Sequence, residues 1–185
     1  MRTLLTVILL ATNVAVYAAD WTVDHGRSRL GFTATQQGGE FQGRFREFTA
    51  DMRFAPEDPA GGAFDVTIDV ASVDTGSRQR DRFLPGKEWF DADTYPEAHF
   101  RASSIRRIDD DRYEAAGTLT IKGNSREIRL PFQWTQEGDT AQMKGEVAID
   151  RTDFDVGEGE WASDDPVGRK VTVEVDLVLQ RQTGS

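Results

Sequence analysis

From Ser28 to Thr35 apolar and polar residues alternate, with Leu30, Phe32 and Ala34 on one face. That period of two is the pattern of a strand with one dry and one wet side. Gln36-Gln37-Gly38-Gly39 reads as a turn, after which Phe41, Gly43 and Phe45 face away from Gln42, Arg44 and Arg46. Phe48, Ala50, Met52 and Phe54 keep the period until Pro56 and Pro59 break it. Phe64, Val66, Ile68 and Val70 follow in phase. Later strands are read over His99–Ile108, Tyr113–Lys122, Arg126–Trp134, Met143–Asp150 and Val171–Gln180. Asp109-Asp110-Asp111 and Gly123-Asn124 supply turns between them.

About eight strands of this length predict an antiparallel sheet whose dry face must be covered. No long amphipathic helix is available to cover it. Closing the sheet into a single eight-stranded antiparallel β-barrel hides that face and removes the edges. A two-sheet sandwich is the alternative that spacing leaves open.

One stretch abandons the alternation, DTGSRQRDRFLPGKEWFDADTYPEAHF from Asp74 to Phe100. Ser77 is an N-cap candidate for a short helix over Arg78–Leu84, which Pro85-Gly86 ends. This helical insertion around 77–90 carries Phe83, Leu84, Trp89 and Phe90 among Arg78, Arg80, Arg82 and Lys87. It is expected to cover one end of the barrel, as a fixed plug or as a lid. Arg80 and Asp81 are sequence neighbours, so on a helix each needs another partner.

Composition narrows the chemistry. The first twenty residues, MRTLLTVILLATNVAVYAAD, read as a signal peptide with Arg2 as its charged start and Leu4–Ala11 as its apolar run. Cleavage is expected after Ala18, or else Ala19, leaving residues 19–185 as one exported, periplasmic domain. The formal net charge is −10 over 185 residues, which disfavours nucleic acid as a partner. An anionic ligand would need a local arginine cluster. The chain has no cysteine, so disulfides, thiolate metal sites and thiol nucleophiles are excluded. His25 and His99 lack metal-ligand spacing, so no metal is expected. The acidic stretch from Asp150 to Glu160 fails the calcium-loop pattern, because Glu158 stands where glycine is needed. No nucleophile elbow or phosphate loop occurs.

Several blocks stand at fixed spacing. They are Trp21, Val23, Asp24, Ser28, Leu30 and Phe32, then Gly43 and Phe45. Ser72-Val73-Asp74-Thr75, Arg80-Asp81, Leu84, Trp89-Phe90-Asp91, Tyr95-Pro96 and Phe100 follow. Gly117, Leu119-Thr120-Ile121-Lys122-Gly123, Leu130-Pro131 and Asp150-Arg151-Thr152-Asp153-Phe154 complete them. Together they resemble the YceI-like family of bacterial periplasmic, lipocalin-like, polyisoprenoid-binding proteins. Two places depart from the family's habit: Arg27 stands where histidine is common, and Asp155 where glycine is.

The resemblance implies a barrel whose interior holds a long lipid tail, of a prenyl quinone, a prenyl pyrophosphate or a fatty amide. A bound isoprenoid or quinone is the one cofactor-like molecule it suggests, in a carrier, store or sensor. Family association adds a membrane b561-type cytochrome as a partner, and a homodimer is open. A lipid-diphosphate hydrolase is the enzyme alternative, and no catalytic residue can be named for it. A tunnel needs small inner residues, and Ala34, Gly43, Ala50, Ala102, Ala115, Gly117 and Gly145 fall in phase for one. Its expected walls are Phe32, Phe45, Met52, Phe100, Gly117, Leu119, Phe132 and Met143. Its expected mouth is Arg78, Arg80, Arg82, Phe83, Trp89 and Phe90, with the headgroup against the arginines.

Overall fold

A computed structural model describes residues 18–182. The expected signal peptide therefore lies outside the described residues, except for Ala18. The strands are β1 (Ala19–Val23), β2 (Arg29–Gln36), β3 (Gly39–Phe45), β4 (Phe48–Phe54), β5 (Ala63–Asp69) and β6 (Val73–Asp74). After α1 (Arg78–Phe83) come β7 (Glu97–Arg107), β8 (Arg112–Ile121), β9 (Asn124–Glu137), β10 (Thr140–Asp150) and β11 (Lys170–Arg181).

Three pairs of these strands are single staves with a break. β1 and β2 lie end to end along β11, through Val23 opposite Leu179 and Leu30 opposite Val175. β3 pairs with β2 while β4 pairs with β1, and β6 pairs with β3 while β5 pairs with β4. Counted this way the sheet is eight antiparallel staves, each bonded to the next in sequence. The pairing of β11 with β1 closes the ring, so the fold is a closed up-and-down barrel of the lipocalin-like kind. The sandwich alternative is excluded by that closure.

The alternation read from the sequence sets the inside. Trp21, Phe54, Phe64, Tyr113, Leu130, Phe132 and Leu179 all point inward and are buried. Tight hairpins hold the staves in register. The β8–β9 turn uses Lys122 and Gly123, both at positive φ (50° and 75°), the conformation of a two-residue turn that matches strand twist. The helix ends one residue earlier than expected, at Phe83, and the side chain of Ser77 makes no capping hydrogen bond.

Asp74 ties the short β6 to its neighbour. Its carboxylate accepts from Arg46 at 2.8 Å and Arg44 at 3.1 Å, and from the Gly76 amide at 3.1 Å. These bonds, the one from Arg46 foremost, hold the Asp74 carboxyl at about 2, against an ordinary 3.8. A depressed carboxyl stabilises the fold fully above its ordinary value and loses that contribution as pH falls toward the folded value. Urea midpoints should therefore fall between about pH 4 and 2, and Asp74→Asn should flatten that fall. Parallel pH curves for the two proteins would remove this role from Asp74.

Candidate functional site

Burial of the inward-facing residues divides the barrel into two halves. At one end, aromatic rings fill the lumen: Phe54 lies 4.8 Å from Trp134, 5.0 Å from Tyr113 and 5.6 Å from Phe132, centroid to centroid. Trp21 meets Trp134 edge-on and donates its indole N–H to the Phe54 carbonyl at 2.9 Å. At the other end, Val66, Ile68, Ile121, Ile128, Val147, Ile149, Val171, Val173 and Val175 also belong to the inner apolar set, yet they are only partly buried. They surround a cavity of about 370 Å³. That volume is within the range of small-molecule sites.

Two segments cap this end. The first is α1 with the turns that follow it, which contributes Phe83, Leu84, Trp89 and Phe90 to the cavity wall. The second runs from Arg151 to Val167 and contributes Phe154, Val156 and Trp161. They are stitched together at Glu88, whose carbonyl accepts from the amides of Gly157 and Glu158 at 2.8 Å. Its carboxylate accepts from the Trp161 indole at 2.9 Å. Beneath them, the buried Lys122 ammonium donates to the carbonyls of Lys87 and Asp155 at 2.9 Å and to the Glu158 carboxylate.

Arg151 is the other cation in the cap. It is 4% exposed, and among the described residues no carboxylate forms an ion pair with it. Its guanidinium donates to the carbonyls of Val156, Gly157, Trp161, Ser163, Val167 and Gly168. It also lies over the Trp89 ring at 5.4 Å. Burial pulls its pKa down from the ordinary arginine value, partly offset by Asp150.

The expected wall residues are distributed unevenly. Phe32, Phe45, Met52, Phe100, Leu119 and Met143 line the cavity, as do Arg80, Phe83, Trp89 and Phe90. Gly117 and Phe132 do not. A Cβ on Gly117 would stand 2.3 Å from the Arg101 carbonyl oxygen, so this glycine lets β7 approach β8 and opens no space. Phe132 belongs to the aromatic end, stacked 5.5 Å from Tyr113. Gly43 is likewise occupied, since a Cβ there would meet the Phe32 ring at 2.3 Å. Arg78 and Arg82 are exposed and outside the cavity wall, because a six-residue helix turns only one of the three arginines inward. Phe83 lines the cavity while staying 58% exposed, which places it at the rim.

Sequence reasoning gave no role to Lys122, Arg151, Glu88 or Trp161. The first two sit inside motifs quoted above, and that was the available signal. Their partners are mostly backbone carbonyls, which no side-chain pattern announces. Of the histidines, His25 is exposed against Phe48, and His99 hydrogen-bonds Thr67 on the outer face. Among the described residues no group of three or more His, Asp or Glu side chains could hold a metal ion.

Comparisons with known proteins agree with this geometry. The YceI-like domain family matches residues 21–179. The crystal structure of BcnA from Burkholderia cenocepacia is 36% identical, with a TM-score of 0.82 over 84% of this chain and 98% of that one. A UPF0312 protein of Photorhabdus laumondii is 29% identical over 133 residues, 70% of this chain and 69% of that protein. A polyisoprenoid-binding domain from Saccharophagus degradans, implicated in plant cell wall breakdown, is 16% identical and shares the fold. Its TM-score is 0.68 over 89% of this chain and 99% of that one.

Proposed function

The chain belongs to the YceI-like family, and on that premise we propose that it is a binding protein for the tail of an isoprenoid or similar long-chain lipid. The observation that carries the reading is the ring of inward-facing Val and Ile side chains left accessible around the capped cavity. Apolar groups in that state gain from any apolar guest. Burying about ten CH₂ equivalents at ~0.8 kcal/mol each gives ~8 kcal/mol, which is micromolar before ordering costs. The binding activity named for the Saccharophagus domain points the same way. The cavity wall is apolar at most positions and offers no paired carboxylates for hydrolysis, which favours binding over catalysis.

The N-terminal segment supports export, so the lipid would be met in the periplasm; fractionation of the producing cell tests that. Carriage, storage or sensing are all served by the same cavity. Service to a b561-type cytochrome rests on the family resemblance.

Native mass spectrometry of protein purified without detergent is the direct test. The expected result is an extra mass of a long-chain lipid, released on collisional heating. Protein that carries nothing and also fails to bind added prenyl alcohols and quinones would overturn the reading.

A further inference from the structure

We propose that Met52, Phe64 and Met143 form a floor that sets the length of the bound tail at about three isoprene units. The inference rests on the binding role proposed above and adds the size class of the ligand. All three side chains line the cavity and are buried, whereas Val147, Ile149 and Val173 nearer the cap are only half-buried. Phenylalanine and methionine reach the barrel axis where valine and isoleucine stop short of it. Phe64 lies 6.2 Å from Phe54 and 5.6 Å from Phe132, centroid to centroid. It is therefore the last ring of the filled aromatic end and the first one a tail meets. The methionine side chains are flexible and fit themselves around the tail end, while the ring of Phe64 holds its place.

The staves give the depth above that floor. Met143 to Ile149 on β10 and Leu177 to Val171 on β11 each advance six residues, and all four side chains line the cavity. At a rise of ~3.4 Å per residue and a strand tilt of about 40°, six residues cover about 15 Å along the barrel axis. An extended polypeptide advances ~3.5 Å over its three backbone bonds, or about 1.2 Å per bond. An extended carbon chain has the same zigzag, so about 15 Å holds about twelve bonds, the main chain of three isoprene units. A longer tail meets the floor at one end and must leave its surplus at the rim. There Phe83 lines the cavity while staying exposed, so carbon at that level remains half in water. Burial therefore adds affinity up to about the third isoprene and little beyond it.

The test titrates geraniol, farnesol and geranylgeraniol, each one isoprene longer than the last, by quenching of tryptophan fluorescence. Farnesol should bind wild-type protein roughly a hundredfold more tightly than geraniol, and geranylgeraniol within about threefold of farnesol. Phe64→Ala, which takes the ring out of the floor, should extend the rise to geranylgeraniol. Val175→Phe raises the floor instead, since Val175 is the half-buried cavity residue one inward position above Leu177 on β11. The series should then level off at geraniol. If Phe64→Ala does not fold, Val175→Phe decides alone, because it adds bulk where the lumen is open. A gain from farnesol to geranylgeraniol as large as that from geraniol to farnesol would overturn the floor while leaving the tail-binding reading intact. So would a levelling point that stays at farnesol in folded Val175→Phe. Failure of all three alcohols to bind wild-type protein would overturn that reading and the floor with it.

Discussion

Val66→Phe combined with Val147→Phe should leave the barrel folded and weaken lipid binding by about a thousandfold. Val66 on β5 and Val147 on β10 stand four staves apart in a ring of eight, so they face each other across the cavity. Two phenyl rings there occupy the space a tail needs, and they bring no N–H group that would require a partner. Losing about half of a ten-CH₂ tail removes ~4 kcal/mol, which is roughly three orders of magnitude in affinity. Overpacking usually costs stability, but only where the site is already full. Here both valines are only partly buried on the cavity wall, so the urea midpoint should hold or rise. Titration with a prenyl alcohol reads the first effect and chemical denaturation the second. Undiminished binding by a folded variant would remove the tail from the cavity. Gly117→Phe is the instructive contrast: its Cβ would press on the Arg101 carbonyl and the Ala102 backbone at 2.3 and 2.8 Å. That variant should lose the β7–β8 pairing and fail to fold, and so report nothing about ligand.

The contrast shows what the sequence does and does not make legible. The staves were readable because one buried face forces a strict period of two, from Leu30 to Leu179. Closure was readable because the dry face had no helix to cover it. Of the small inner residues Ala34 lines the cavity, but the glycines do not open it. Gly43, Gly117 and Gly145 lie in phase, but their missing side chains are filled by the Phe32 ring, the β7 backbone and the Pro131 carbonyl. The void arises instead where inner residues are too short to reach the barrel axis. Aromatic side chains crowd one end of the staves, as Trp21, Phe54, Tyr113, Phe132 and Trp134. Valine and isoleucine are frequent at the other, as Val147, Ile149, Val171 and Val173, beside Phe32, Phe45 and Phe100. That concentration of Val and Ile is visible in the sequence once the staves are aligned. The choice of Arg80 over Arg78 and Arg82 is not visible, since it depends on the phase at which a six-residue helix lands on the rim.

Arg151→Met should be the most destabilising single change in the cap, costing about 3–5 kcal/mol. Each buried carbonyl left without a donor costs about 1–3 kcal/mol, and relaxation of the loop recovers part of the sum of six. For a domain of this size that corresponds to a drop in Tm on the order of 10 °C or more. Arg151→Lys should rescue little, because one ammonium offers three N–H groups at a single point where six acceptors surround a plane. The reason for so large an effect lies in what the segment from 156 to 168 lacks. Val156 and Val167 are the apolar residues it buries, too few to hold a dozen residues by the hydrophobic effect. The guanidinium takes the place of a core, and the chain is shaped around it. At Gly157 even a Cβ would stand 2.2 Å from Arg151 Nη1. Because the same segment is bonded to Glu88 and packed against Trp89 through the tilted ring of Trp161, its loss should also loosen the cap and speed lipid exchange. Limited proteolysis should then cut between 157 and 168 in the variant and spare the wild-type protein. A variant that keeps the wild-type midpoint and resists protease would show that the carbonyls find water as easily as they found Arg151.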